Sequence, residues 1–211
     1  SSIEAGEVSQ KKIGEVRKKD NDLKDQLYVS ERVRGDIFSP NITLQDHRDY
    51  VKNGRTIDLP SANLASTTGG TIKHHISPAY YQAAMSSYQA ELSDTMFNTQ
   101  PVDTDSTVDF NRQLATLTKI EEISGKKSTF STMFDGMLDN KETTRVQGVK
   151  SIQQLNAYVA FKSKDNPYYK KQITVTNQLS EAVGKLKEDH IILYRHQRLM
   201  KQYKLMIRTI S

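Results

Sequence analysis

Leu179, Leu186, Leu193, Met200 and Ile207 stand seven residues apart, five large apolar side chains in unbroken succession. A seven-residue period held this long leaves a chain few options. It winds an α-helix whose apolar seam has to be covered by another helix, with a left-handed supercoil between the two. Val175, Val183, Tyr203 and Ile210 widen the seam, and His190, His196 and Gln197 interrupt its second track. Gly184 costs about 1 kcal/mol relative to Ala in a helix interior. Each buried anchor contributes on the order of 1.5–3 kcal/mol, so the helix survives its glycine. Asn166-Pro167 marks the start of this longest element. The pattern leaves two occupants open for the seam: a helix of a partner chain, or a helix of the same domain.

Composition agrees with a chain built from long helices. Only 36% of the 211 residues are hydrophobic, and a mean hydropathy of -0.67 leaves much surface to water or partners rather than to a thick core. There is no cysteine, which excludes disulfides and thiolate metal sites. No apolar run approaches the roughly 20 residues a bilayer crossing needs, and Ser1–Lys12 is polar with no signal-peptide core. The net charge of +5 is unevenly placed. Residues 1–35 set eight Lys/Arg against seven Asp/Glu, whereas residues 191–211 carry Arg195, Arg198, Lys201, Lys204 and Arg208 with no acid.

Along the chain, Glu7–Arg34 reads as an exposed helix. Its thin seam of Ile13, Val16, Leu23, Leu27 and Val33 is interrupted by Asp20 and Ser30. Between Phe38 and Ser77 helical periodicity disappears, and Pro40, Gly54, Pro60 and the Thr67-Thr68-Gly69-Gly70 run punctuate the chain. Arg55–Leu59 alternates as a short strand would. Tyr81, Met85, Tyr88, Leu92 and Met96 then recur at steps of three and four, Pro101 breaks the helix, and a second apolar face begins. Phe110, Leu114 and Leu117 on that second face, followed by Ile120 and Ile123, are expected to pack the central hairpin. Gly125-Lys126-Lys127-Ser128 reads as a stop and restart, before a short amphipathic helix bearing Phe130, Met133, Phe134 and Met137. Glu142–Lys162 is a further helix, marked by Val146, Val149, Ile152, Leu155 and Val159. The expectation is a mainly α, elongated helical protein with a long C-terminal coiled-coil-like helix and an extended polar insert. Its parts are an N-terminal helix (1–37), an extended loop or arm (38–78), a central helical hairpin (79–140) and long C-terminal helices (141–211).

Residues suited to chemistry are sparse. Asp103, Asp105, Thr107 and Asp109 alternate like the opening of a calcium loop, but Val108 stands where the loop needs glycine and Leu114 where it needs a bidentate glutamate. A helix-capping loop is the expected reading. His74 and His75 adjoin, and His190 and His196 are six apart, off the spacing of a helical metal pair. Gly69-Gly70 lacks the residues of a phosphate cradle. Arg34-Gly35-Asp36 spells an adhesion tripeptide, but it falls at a helix end where Gly35 serves as a stop. No catalytic, cofactor-binding or metal residue is named, and the chain is expected not to be an enzyme. The stripe Arg195, Arg198, Lys201 and Lys204, interleaved with Tyr194 and Tyr203, could contact phosphates. A step of three drifts by about 60° each time, so the stripe spreads around the helix.

The run Ala90-Glu-Leu-Ser-Asp-Thr-Met-Phe-Asn98-Thr-Gln-Pro101, followed by Asp109-Phe110-Asn-Arg-Gln113-Leu114-Ala115-Thr-Leu117-Thr118-Lys-Ile120-Glu121-Glu122, resembles the N-terminal part of bacterial flagellar hook-capping proteins. Asn98 and Pro101 match that family's turn, and Phe110, Gln113, Leu114, Ala115 and Glu121 its second helix. Thr99-Gln100 stands in place of Gln-Asp, Thr118 of serine and Glu122 of glutamine. The resemblance covers residues 81–124 and implies a scaffold or cap on a helical protein tube: a flagellar hook or rod, or a phage tail or neck. The expected function is thus a non-enzymatic structural or assembly subunit, partnered by protein subunits of its own assembly as a homo- or hetero-oligomer. It would sit in an extracytoplasmic appendage or virion. The alternative is a helical nucleic-acid-binding protein of the cytoplasm that uses the basic C-terminal helix.

Overall fold

The computed structural model describes residues 2–64, 70–139 and 148–210, without the side chains of 2 and 148–151. Among the described residues 82% are helical, in seven α-helices, so the fold is mainly α. They are α1 (Ser2–Phe38), α2 (Leu44–Asn53), α3 (Pro78–Asn98), α4 (Thr104–Ser124), α5 (Thr129–Asp139), α6 (Gly148–Lys162) and α7 (Pro167–Ile210). Strands β1 (Arg55–Pro60) and β2 (Thr71–Ile76) form an antiparallel hairpin with Arg55 opposite Ile76 and Pro60 opposite Thr71.

Helix starts fall where short polar side chains can accept the orphan amides of a first turn. Thr43 and Asp46 form a reciprocal capping box on α2. Ser77 Oγ accepts Tyr80 N–H at 3.1 Å ahead of Pro78, and Asn166 Oδ1 accepts Tyr168 N–H at 3.0 Å ahead of Pro167. Proline in the first helical turn forfeits no intrahelical bond. Asp103 Oδ1 accepts Ser106 N–H at 2.7 Å at the head of α4. The acidic run at 103–109 therefore begins as a helix cap.

The chain divides into two compact units, Ser1–Glu91 with Thr116–Lys126, and Leu92–Ala115 with Lys127–Ser211. In the first, Val33 and Ile37 at the end of α1 are fully buried with Tyr81, Leu117 and Ile120, and Met85 is almost so. Ile3, Val8, Ile13, Val16, Leu23 and Leu27 along the rest of α1 are exposed. Asp25 holds a short 3₁₀ turn (Ala62–Leu64) against α1, accepting from Ala62 N–H at 2.6 Å and Ser61 Oγ at 2.9 Å.

The segment 38–78, expected as an extended loop or arm, instead carries α2 and the hairpin. Its helix escapes an aliphatic pattern because the side chain it buries is His47, with Tyr50 stacked on Tyr81 at 5.7 Å. Gly54 turns α2 into β1 at φ 74, and a Cβ there would meet Ile76 O at 2.5 Å. Arg55–Leu59 is a strand, as expected. Thr67, Thr68 and Gly69 lie outside the described residues. A second correction concerns Gly35. It does not stop the helix, for α1 runs through it to Phe38. Both charges of the tripeptide are engaged within the unit: Arg34 forks onto Glu91 at 2.8 Å, and Asp36 accepts from Arg55 at 2.5 Å.

The second unit closes on an aromatic cluster. Phe130 and Phe134 pack edge to face at 4.3 Å, with Phe97, Phe110 and Tyr158 around them, a geometry suited to ring quadrupoles. Phe110 and Leu114 are fully buried here, and Leu117 is fully buried in the first unit. Gln154 of α6 donates to the carbonyls of Met96, Phe97 and Thr99 at 3.0, 2.8 and 2.8 Å. They lie where α3 ends before Pro101, and of the three the Met96 carbonyl also accepts Thr99 N–H at 3.3 Å. The expected helix over 142–162 is described from Gly148. Val146 and the side chain of Val149 lie outside the described residues.

Candidate functional site

Helix α7 has 44 residues, a length of about 66 Å at 1.5 Å per residue. The whole helix belongs to the second unit, and its first half is packed there. α6 folds back on it through the turn at 163–166, with Asn156 donating to Ser180 Oγ at 2.8 Å. Tyr169, Thr176, Leu179 and Val183 are buried there. Tyr158 and Tyr169 both donate to Asp135, at 3.0 and 2.9 Å, and Lys127 pairs with the same carboxylate. Burial raises the Tyr169 hydroxyl to about 12, with the nearby Asp135 charge acting the same way.

The second half is different. From Gly184 to Ile210 every residue is exposed. Leu186, Leu193, Met200 and Ile207 are 51%, 54%, 44% and 46% exposed, whereas Leu179 is 3% exposed. The seven-residue series is therefore divided. Leu179 is buried within the chain's own unit, and the other four lie on the exposed half. Arg195, Arg198, Lys201 and Lys204 are all exposed on the same half.

A second track accompanies the first, and the sequence reading passed over it. Ile192, Leu199 and Met206, also seven apart, are 63%, 65% and 54% exposed. With Leu193, Met200, Ile207, His196, Tyr203 and Ile210 they share one sector about 140° wide at 100° per residue. The signal was present in the spacing but hidden by its neighbour one residue on. The five cations lie outside that sector, together with Ile191, Tyr194 and Leu205. The exposed half thus carries an apolar stripe on one side and positive charge outside it.

The first unit holds a buried polar cluster that the sequence did not announce. His47 is fully buried, and neither ring nitrogen has a hydrogen-bond partner; nor has the Tyr81 hydroxyl. Burial, aided by the Lys119 charge, lowers His47 to about 4, while Asp36 and Asp46 pull the other way. The ring is thus neutral at neutral pH. Among the described residues no group of three or more His, Asp or Glu could hold a metal ion, and no helix is long and apolar enough to cross a membrane. Compared with protein-family models, curated proteins and solved structures, the chain matches none.

Proposed function

We propose that the chain is a non-enzymatic structural or assembly subunit, a scaffold, cap or adaptor that joins its neighbours through the outer half of α7. One observation carries the reading: from Leu186 to Ile210, twelve large apolar side chains stand exposed along one helix. An unsupported helix of this kind is marginal in water. Covering half a side chain contributes about 1 kcal/mol, so a partner helix spanning this stretch gains enough to offset the cost of association. The segment 81–124 resembles flagellar hook-capping proteins, which supports a helical multisubunit assembly such as a bacterial flagellum or a phage tail or neck. In that setting the protein belongs to an extracytoplasmic appendage or virion. The expected outcome for Leu186→Asp combined with Leu193→Asp is loss of incorporation, read by negative-stain microscopy of complexes purified on a tagged copy. Fully assembled particles containing the double variant refute the contact.

A second reading has its own observation, the five cations and no acid over 191–211. A nucleic-acid-binding helix would lose affinity steeply with salt, each neutralised phosphate adding about 0.9 to the logarithmic slope on B-DNA. Reversing the charge of Arg195, Arg198 and Lys201 should then flatten that slope in an electrophoretic shift assay. An unchanged slope removes this alternative.

A further inference from the structure

We infer that the partner on the outer half of α7 is the same segment of another copy, paired in parallel and in register over residues 192–210. The inference rests on the subunit reading and names its occupant. Its starting point is where intramolecular cover ends. Leu179 and Val183 are buried, and past Val183 the apolar face of α7 is exposed.

The layout of charge decides what can lie on that face. With Leu186, Leu193, Met200 and Ile207 at heptad position a, His196, Tyr203 and Ile210 fall at d, and Ile192, Leu199 and Met206 at g. Arg195 is then at c, Arg198 at f, and Lys201 and Arg208 at b, all directed away from an a/d seam. Only Lys204, at e, flanks it, and in a parallel pair its stem meets the g-position Leu199 of the other strand rather than a cation. Two identical strands can therefore close without opposing their positive charges. Asp189 at d marks the boundary, since an in-register pair would set two carboxylates together there. Pairing accordingly begins at Ile192.

The other uncovered helical seam among the described residues, that of α1, fits worse. Ile13, Val16, Leu23 and Leu27 are exposed, but Asp20 sits among them and Lys12, Arg17, Lys19 and Lys24 border them. Laid on α7 it would add cations beside Lys204. A stripe three positions wide also exceeds the two of a minimal zipper, as repeated identical strands can use and a lone guest helix does not need.

The absence of native cysteine makes the test direct. Four single-cysteine variants of the full chain are oxidised mildly: Leu193→Cys and Met200→Cys on the seam, Arg198→Cys and Lys201→Cys on the outer face. In-register pairing brings only the first two within disulfide reach, so they should cross-link roughly tenfold faster. The wild-type mass by light scattering should exceed one chain by about 100 µM, as befits a short seam. Equal cross-linking at all four positions, or a single-chain mass at that concentration, overturns the inference. Such a result leaves the subunit reading intact. That reading falls separately if the Leu186→Asp/Leu193→Asp chain still enters particles.

Discussion

Buried His47 contributes to the acid sensitivity of the first unit. Its ring is held neutral by burial and lowered to about 4, against about 6.5 in an unfolded chain. The folded state therefore binds a proton less readily than the unfolded one. Its contribution is complete above pH 6.5 and is lost as pH falls toward 4, by about 3 kcal/mol in total. Thermal melts between pH 7 and pH 4 should show the wild type losing more of its melting temperature than His47→Phe, in which this titration is absent. Equal acid slopes for the two proteins contradict the assignment. Charged neighbours define the context: Asp36 from α1, Asp46 on α2, Arg55 on β1 and Lys119 on α4 all act on the ring.

At the scale of elements, the join between α3 and α4 depends on a residue from a third helix. Gln154 supplies hydrogen bonds to three backbone acceptors near the end of α3. Gln154→Leu keeps the volume and removes the donor, leaving the part-buried Phe97 and Thr99 carbonyls without it at a cost of about 1–3 kcal/mol. The expected result is a lower denaturation midpoint with an unchanged denaturant slope; a midpoint equal to wild type argues against the cap. Elements differed in how plainly the sequence announced them. α3 and α4 were readable because Tyr81, Met85, Leu92, Met96, Phe110, Leu114 and Leu117 are large, apolar and regularly spaced. α2 was not, because its buried face is an imidazole and a phenol ring on an otherwise charged helix. Leu179 read like Leu193, since spacing along one helix does not reveal how far a neighbouring helix extends beside it. Gln154 gave no signal at all, because its role comes from a turn more than fifty residues earlier in the chain.

For the whole molecule, two helices leave their apolar residues mostly in water, α1 before Ser30 and α7 after Val183. The mainly α class was legible from periodicity and composition together. The Pro101 turn has one more consequence, which concerns the order of events during synthesis. Both helices of the hairpin are complete by residue 124, but the side chain that closes their turn is at 154. In a nascent chain the Phe97 and Thr99 carbonyls therefore wait for their donor until α6 has emerged. During that interval the turn is held only by water and by its own local bonds, and the arrival of Gln154 commits it.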